Sequence, residues 1–194
     1  NRIGRGCRIH PTATVEGSIL GRGVTIGAHA TVFGSCLGDG AVVEMNAIVR
    51  NSVMGAGTTL TSNCRINFCV LYPDAMAGQS LLQVSILGER AVLMTSGFTF
   101  DMKITRPINV DFRGERVSLG TKYIGCCFGH ESVIGAGVWL NAGLEVPNGY
   151  MIVREGERVI RRVPPGLPPR VPLVPVDGVV QVHPSLKEKG EDGD

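Results

Sequence analysis

Aliphatic residues recur along the first seventy positions at a period that is neither helical nor strand-like. Ile3, Leu20, Leu37, Met54 and Leu71 lie seventeen apart, as do Ile9, Ile26, Val43 and Leu60, and Val15, Val32, Val49 and Ile66. Within a cycle the steps are six, six and five. Four residues after each aliphatic comes a smaller one, such as Cys7, Ala13, Val24, Ala30, Cys36, Ala47, Val53 or Cys64. Gly6, Gly23, Gly40 and Gly57 form a further ladder, suited to corners that need unusual φ/ψ. The pattern predicts a three-sided coil with one short strand and one corner per side. The aliphatic residue and the small residue four later both point inward. One such coil cannot bury its own apolar face, so stability comes from stacking coil on coil. The cadence resumes at Phe128, Ile134, Leu140, Val146 and Ile152, now in steps of six throughout.

Two stretches break the pattern. Between Thr95 and Lys122 the chain alternates: Ile108, Val110 and Phe112 share one face and Arg113-Gly114 suits a turn, which predicts a β-hairpin excursion. Long excursions from a regular scaffold are commonly functional, and this one is apolar enough to be ordered, against a neighbouring subunit. After Ile152, seven of the eleven prolines fall between Pro164 and Pro184, which predicts extended, polyproline-like chain with a disordered end. The expected organisation is coils over 1–94, an excursion over 95–122, coils over 123–153 and a tail over 154–194.

Composition narrows the functional classes. Gly is abundant at 27 residues and aromatics are 5%, which suits a turn-rich all-β array and not a helical bundle. A formal net charge of +2 gives no electrostatic case for nucleic acid, and no apolar run is long enough for a membrane span. Six cysteines without C-x-x-C spacing predict reduced thiols and a cytoplasmic location. The chain opens at Asn1, already within a repeat, which reads as a fragment.

The aliphatic–Gly-like–x–x–small–x pattern over about 3–93 and 123–152 resembles the hexapeptide repeat of left-handed parallel β-helix proteins. That resemblance implies the handedness; the flat prism sides and projecting hairpin predict a homotrimer. The segment from Val110 to Gly149 is similar to the C-terminal β-helix of prokaryotic sugar-1-phosphate nucleotidylyltransferases, some of which also acetylate amino-sugar phosphates. Val110, Arg113, Gly114, Gly120 and Gly125 fall on their basic, Gly-spaced insertion, with Arg113 where Lys is common. The acetylating members carry a His ahead of a Gly-Asp-Ser just before the insertion. Here that stretch is AGQSLLQVSILGER, Ala77 to Arg90, without His, Tyr or Gly-Asp. Their following Asn has become Asp101 or Met102.

The candidate chemistry follows. His29 and His130 are the candidate general bases; His10 and His183 read as solvated. His29, Asn46 and Asn63 form a polar ladder, read as side chains hydrogen-bonded from coil to coil. Asp101, Lys103, Arg106, Arg113, Arg116 and Lys122 crowd the excursion as a candidate patch for a sugar phosphate, a nucleotide sugar or coenzyme A. No metal site is expected: the γ-class carbonic anhydrases of this architecture need converging histidines, and no two here are near each other. Three readings stand. One is an oligomerising, ligand-binding β-helix without efficient acetyltransferase activity; the second is an acyltransferase using acetyl-coenzyme A; the third is a scaffold.

Overall fold

The computed structural model describes residues 1–153, 173–176 and 179–182. The chain divides into two units, Asn1–Val153 and Arg154–Asp194. The first is a parallel β-helix, all-β and left-handed. Its first face stacks eight strands, from Arg2–Ile3 to Glu145–Val146. Its second face stacks eight more, from Arg8–Ile9 to Met151–Ile152. The third face runs through five strands, from Thr14–Glu16 to Leu81–Gln83, and ends in Phe98–Thr99 paired with Trp139–Leu140. Phe98–Thr99 is therefore coil, three residues beyond where the hexad count began the excursion.

The period of seventeen is the pairing register: Ile3 faces Leu20, Ile9 faces Ile26 and Val15 faces Val32. It slips to sixteen where the corner at Gly78–Ser80 loses a residue, so Arg65 faces Leu81 while Thr59 still faces Met76 seventeen on. Leu20, Ile26, Val32, Leu60, Leu82 and Leu93 are buried along the axis. Each such aliphatic is worth about 2–5 kcal/mol against alanine, because its loss opens a cavity between coils.

The third corner departs from the expected pattern. Its five-residue side moves the inward slot from the fourth residue to the third after the aliphatic. The inward residues are thus Ser18, Ser35, Ser52 and Cys69, all buried, while Ile19, Cys36, Val53 and Val70 turn outward. A shift of one residue inverts a strand's faces. The buried hydroxyls are satisfied: Ser35 Oγ donates to the Phe33 carbonyl (2.7 Å) and accepts the Ser52 N–H (3.1 Å), and Ser18 and Ser52 repeat the arrangement.

The His29–Asn46–Asn63 ladder has a different cause from the one expected. Among the described residues no side-chain hydrogen bond joins the three. They share a left-handed backbone, with φ of 58°, 58° and 64°. Asn and His tolerate that region far better than most residues.

The excursion leaves after Thr99 and rejoins at Cys127, so Ile86 pairs with Cys127 forty-one residues on. Its stem bridges Met102 and Tyr123. Above it, Asn109–Phe112 pairs antiparallel with Glu115–Ser118 through the two-residue turn Arg113–Gly114, where φ is 52° and 83°. Positive φ at both positions is the type I′ signature that matches strand twist. Ile108 is fully buried, and a Cβ on Gly143 would lie 2.6 Å from its Cγ2. The hairpin is thus seated on its own prism at the third corner.

In the second unit Leu173–Val176 pairs antiparallel with Val179–Val182, with Pro175 opposite Val180. This stretch is a hairpin where continuous extended chain was expected. The other proline-rich positions, His183 and the acidic end lie outside the described residues.

Candidate ligand-binding groove

The seated hairpin and the lower first face enclose a groove of about 630 Å³. Its floor is the outward row of the first face, Ile86, Cys127 and Glu145, consecutive in the pairing register. Its far wall is the hairpin, with Val110, Phe112 and Leu119 apolar and Lys103, Asp111 and Arg116 polar. Val84, at the entry corner, sits at φ 47°. For a β-branched residue that is a strained conformation, held by its N–H to the Asn67 carbonyl (3.0 Å) and its own carbonyl to the Gly125 N–H (3.1 Å). Gly125 allows this re-entry, since a Cβ there would fall 2.1 Å from Ser85 Oγ.

The candidate anion residues do not all converge. Lys103 and Arg116 border the groove. Arg116 donates to both Asp111 carboxylate oxygens at 3.2 and 3.3 Å, so its charge is partly answered. Arg113 sits at the hairpin tip with its guanidinium 5.1 Å from the Phe112 ring centre. Lys122 Nζ donates to the Ile104 carbonyl at 3.0 Å in the stem. Asp101 is also in the stem, its carbonyl accepting the Ile124 N–H at 2.8 Å. Asp111, Asn141 and Glu145 were missed by sequence reasoning; the cross-strand Asp111–Arg116 pairing was the one readable signal.

Neither candidate base reaches this groove. His29 is exposed in the second coil, roughly 24 Å up the axis at about 4.8 Å per coil. His130 lies at the far edge of the first face. Its Nδ1 accepts the Glu89 N–H at 2.9 Å, and its ring meets Tyr72 edge-on at 5.7 Å. That bond leaves the proton on Nε2, so neither nitrogen offers a free lone pair. His10 Nδ1 is similarly engaged by the Thr12 N–H (3.2 Å). His29 makes no side-chain hydrogen bond among the described residues. In the coil just before the excursion, Gln83 Oε1 accepts the Tyr123 hydroxyl at 2.8 Å.

The thiols are quiet. Cys127 on the floor is pushed up by burial and by Glu145. Cys64 and Cys126 are pushed up to about 11, mainly by burial. All six cysteines are unpaired. Among the described residues no cluster of His, Cys, Asp or Glu could hold a metal ion, and no helix is long and apolar enough to cross a membrane.

The family model for bacterial transferase hexapeptide (six repeats) matches residues 2–34. No curated protein matches the chain. Among solved structures, it is similar to a GDP-perosamine N-acetyltransferase from Caulobacter crescentus in complex with coenzyme A and GDP-perosamine (22% identity, 77% of this chain and 54% of that one, TM-score 0.38). It is also similar to a UDP-N-acetylglucosamine acyltransferase from Bacteroides fragilis (13%, 75% and 66%, 0.37). A third is a hexapeptide transferase family protein from Anaplasma phagocytophilum (19%, 78% and 78%, 0.31). The chain spans about half the length of the perosamine enzyme.

Proposed function

We propose that this β-helix is a ligand-binding, self-associating domain whose groove under the hairpin takes an anionic sugar derivative, a sugar phosphate or nucleotide sugar. The observation that carries the reading is the groove's composition. It offers apolar surface at Ile86, Val110, Phe112 and Leu119, two cations, Lys103 and Arg116, beside two carboxylates, Asp111 and Glu145, and no imidazole. Binding needs the cations; amine attack on a thioester needs a positioned base, worth about 10²–10⁴ in rate. Efficient acetylation of an amino-sugar 1-phosphate is therefore not expected. The relation to sugar-1-phosphate nucleotidylyltransferases rests on the Val110–Gly125 spacing. A cytoplasmic setting fits the six free thiols.

Self-association follows from the first face. Ile19, Val53, Val70 and Ile86 form an uncharged outward stripe, each about 40–50% exposed in the lone chain. We assign this stripe to a homotrimer, which sedimentation at micromolar concentration tests: the native chain runs as a trimer and Val53→Glu/Val70→Glu as a monomer.

A second reading, acyl transfer from acetyl-coenzyme A, is favoured by the hexapeptide transferase match at residues 2–34 and by the unengaged His29 ring. One pair of measurements separates the two. Calorimetry with glucosamine 1-phosphate reads binding, and thiol release from acetyl-coenzyme A reads transfer. Binding lost in Lys103→Ala/Arg116→Ala with no thiol release supports the first reading. Rapid release that disappears in His29→Ala replaces it with the second.

A further inference from the structure

The third face carries chemistry that neither the coil nor the groove uses. The chain has six Phe and one Trp. Phe33, Phe98, Phe100 and Trp139 lie on this face, and Phe68 lies at its corner. Trp139 is 67% exposed, Phe68 57% and Phe33 47%. The lower three form a connected platform: Phe98 and Phe100 meet edge-on at 5.2 Å, and Phe100 and Trp139 at 6.4 Å. Exposed aromatics of this size are costly in water unless something covers them.

The charges between them are one-sided. Arg50 and Arg65 project from neighbouring coils, and their guanidinium groups have no ion-pair or hydrogen-bond partner among the described residues. From Thr31 down to Trp139 no outward strand position on this face carries a carboxylate; Glu16 stands alone at the upper end. A hollow of about 400 Å³ is lined by Phe33, Arg50 and Asn51 and, at the upper end of the face, by Glu16. Asn51 Nδ2 donates to Asn67 Oδ1 at 3.4 Å, leaving the remaining amide hydrogens of both free to donate outward.

We propose that the third face is a binding surface for an extended anionic polysaccharide. Sugar rings present an apolar C–H face that stacks on Phe and Trp, hydroxyls that meet amides, and, in uronic or similar acids, carboxylates that guanidinium groups bind through paired hydrogen bonds. The scaffold suits a polymer. Its rows repeat at about 4.8 Å per coil, close to the length of one sugar unit, so successive units meet successive coils. The two cations answer anionic units that a neutral glycan lacks. A single-stranded nucleic acid needs a continuous basic track for its phosphates, and two guanidinium groups on a chain of net charge +2 are a poor one.

Trp139 is the chain's one tryptophan and sits in the platform, so its fluorescence reports this surface alone. The test titrates the full chain with polygalacturonate oligomers, uncharged dextran oligomers and single-stranded DNA. The expected result is a saturable fluorescence change with polygalacturonate that weakens with salt and is absent with dextran. Calorimetry should show binding about tenfold or more weaker in Trp139→Ala and in Arg50→Ala/Arg65→Ala, with circular dichroism unchanged because all three side chains are exposed. The proposal is overturned by equal response to dextran, by tighter binding of DNA, or by unchanged affinity in both variants. A fluorescence change that follows protein concentration without any saccharide also overturns it, since a second copy would then cover the face.

Discussion

On the first face each coil offers one outward side chain, commonly beside a glycine; on the third it offers two. The glycines are steric necessities, since a Cβ on Gly38 would lie 2.5 Å from the Ala56 nitrogen in the next coil. The result is a flat aliphatic strip, Ile19 to Ile86, without charge. The third face has three-residue strands with both flanking positions outward, and these hold aromatics, amides and arginines. One repeat thus builds a surface suited to flat packing and another suited to stacking and ion pairing. The cause is the short third side, whose single missing residue sets the phase of the strand that follows.

The largest test of that phase is a pair of adjacent substitutions. Leu37 is buried and its neighbour Cys36 is exposed on the same two-residue strand. Leu37→Ala should cost about 2–5 kcal/mol in denaturant unfolding, and Cys36→Ala should stay within about 0.5 kcal/mol. Comparable losses at both positions would restore the uniform inward count and erase the distinction between the faces.

The next test compares two buried serines. Ser52 Oγ donates to the Arg50 carbonyl and accepts the Cys69 N–H, tying two coils at the third corner. Ser132 Oγ, at the first corner, is buried with no hydrogen-bond partner among the described residues. Ser52→Ala leaves a buried N–H unanswered and should cost about 1–3 kcal/mol; Ser132→Ala should be neutral or stabilising by up to about 1 kcal/mol. Thermal unfolding of the two variants gives opposite signs if the ladder is the device that sets the third corner.

The period and the prism were legible because many independent positions agree, and the Arg113–Gly114 turn was legible because its positive φ selects its residues. The phase at the third corner was not. Cys36, Val53 and Val70 are apolar whichever way they point, and Ser18, Ser35 and Ser52 look like surface residues until their backbone partners are seen. The groove was hidden for another reason. It depends on which corner the hairpin rests upon, and that is decided by Ile108 meeting Gly143, two residues remote in sequence whose fit no local pattern encodes. The two histidines were visible as residue types, but the hydrogen bond that occupies His130 depends on the Glu89 N–H of the preceding coil.

A smaller effect distinguishes thiols by face. Cys36 is exposed on the strip, and Cys127 is exposed on the groove floor with its thiol pushed up by burial and Glu145. Cys64 and Cys126 are buried and pushed up to about 11, so little thiolate exists at neutral pH. In the monomeric Val53→Glu/Val70→Glu variant, whose strip is uncovered, a disulfide reagent at pH 8 should modify Cys36 first, Cys127 more slowly, and Cys64 and Cys126 only on unfolding. Raising the pH toward 10 should speed Cys127 and leave the two buried thiols protected. Fast labelling of Cys126 in the folded chain would mean that the third corner opens readily, and the first face would lose its rigid edge.

The smallest effect is electrostatic and lies at the corner beside the strip. Asp39 accepts the Arg22 N–H at 2.7 Å and its guanidinium at 3.0 and 2.7 Å, joining the second and third coils. The backbone bond first, and the guanidinium after it, hold the carboxyl below its ordinary value. The carboxylate occupies the space that a Cβ on Gly21 would need, 2.6 Å from Oδ1. A depressed native pKa makes the stabilisation full above the unfolded value near 4 and progressively lost as pH falls through the lower native value. The pair is exposed and screened by salt, so the contribution is small. Asp39→Asn keeps an acceptor for the Arg22 N–H but loses the charge. Its unfolding midpoint should fall slightly short of the native chain's at pH 7 and approach it as the pH drops through the lowered native value of the carboxyl. High salt should close that gap. A gap that persists at 1 M salt would show that the second carboxylate oxygen's hydrogen bonds to the guanidinium, and not the screened charge, are what the substitution removes.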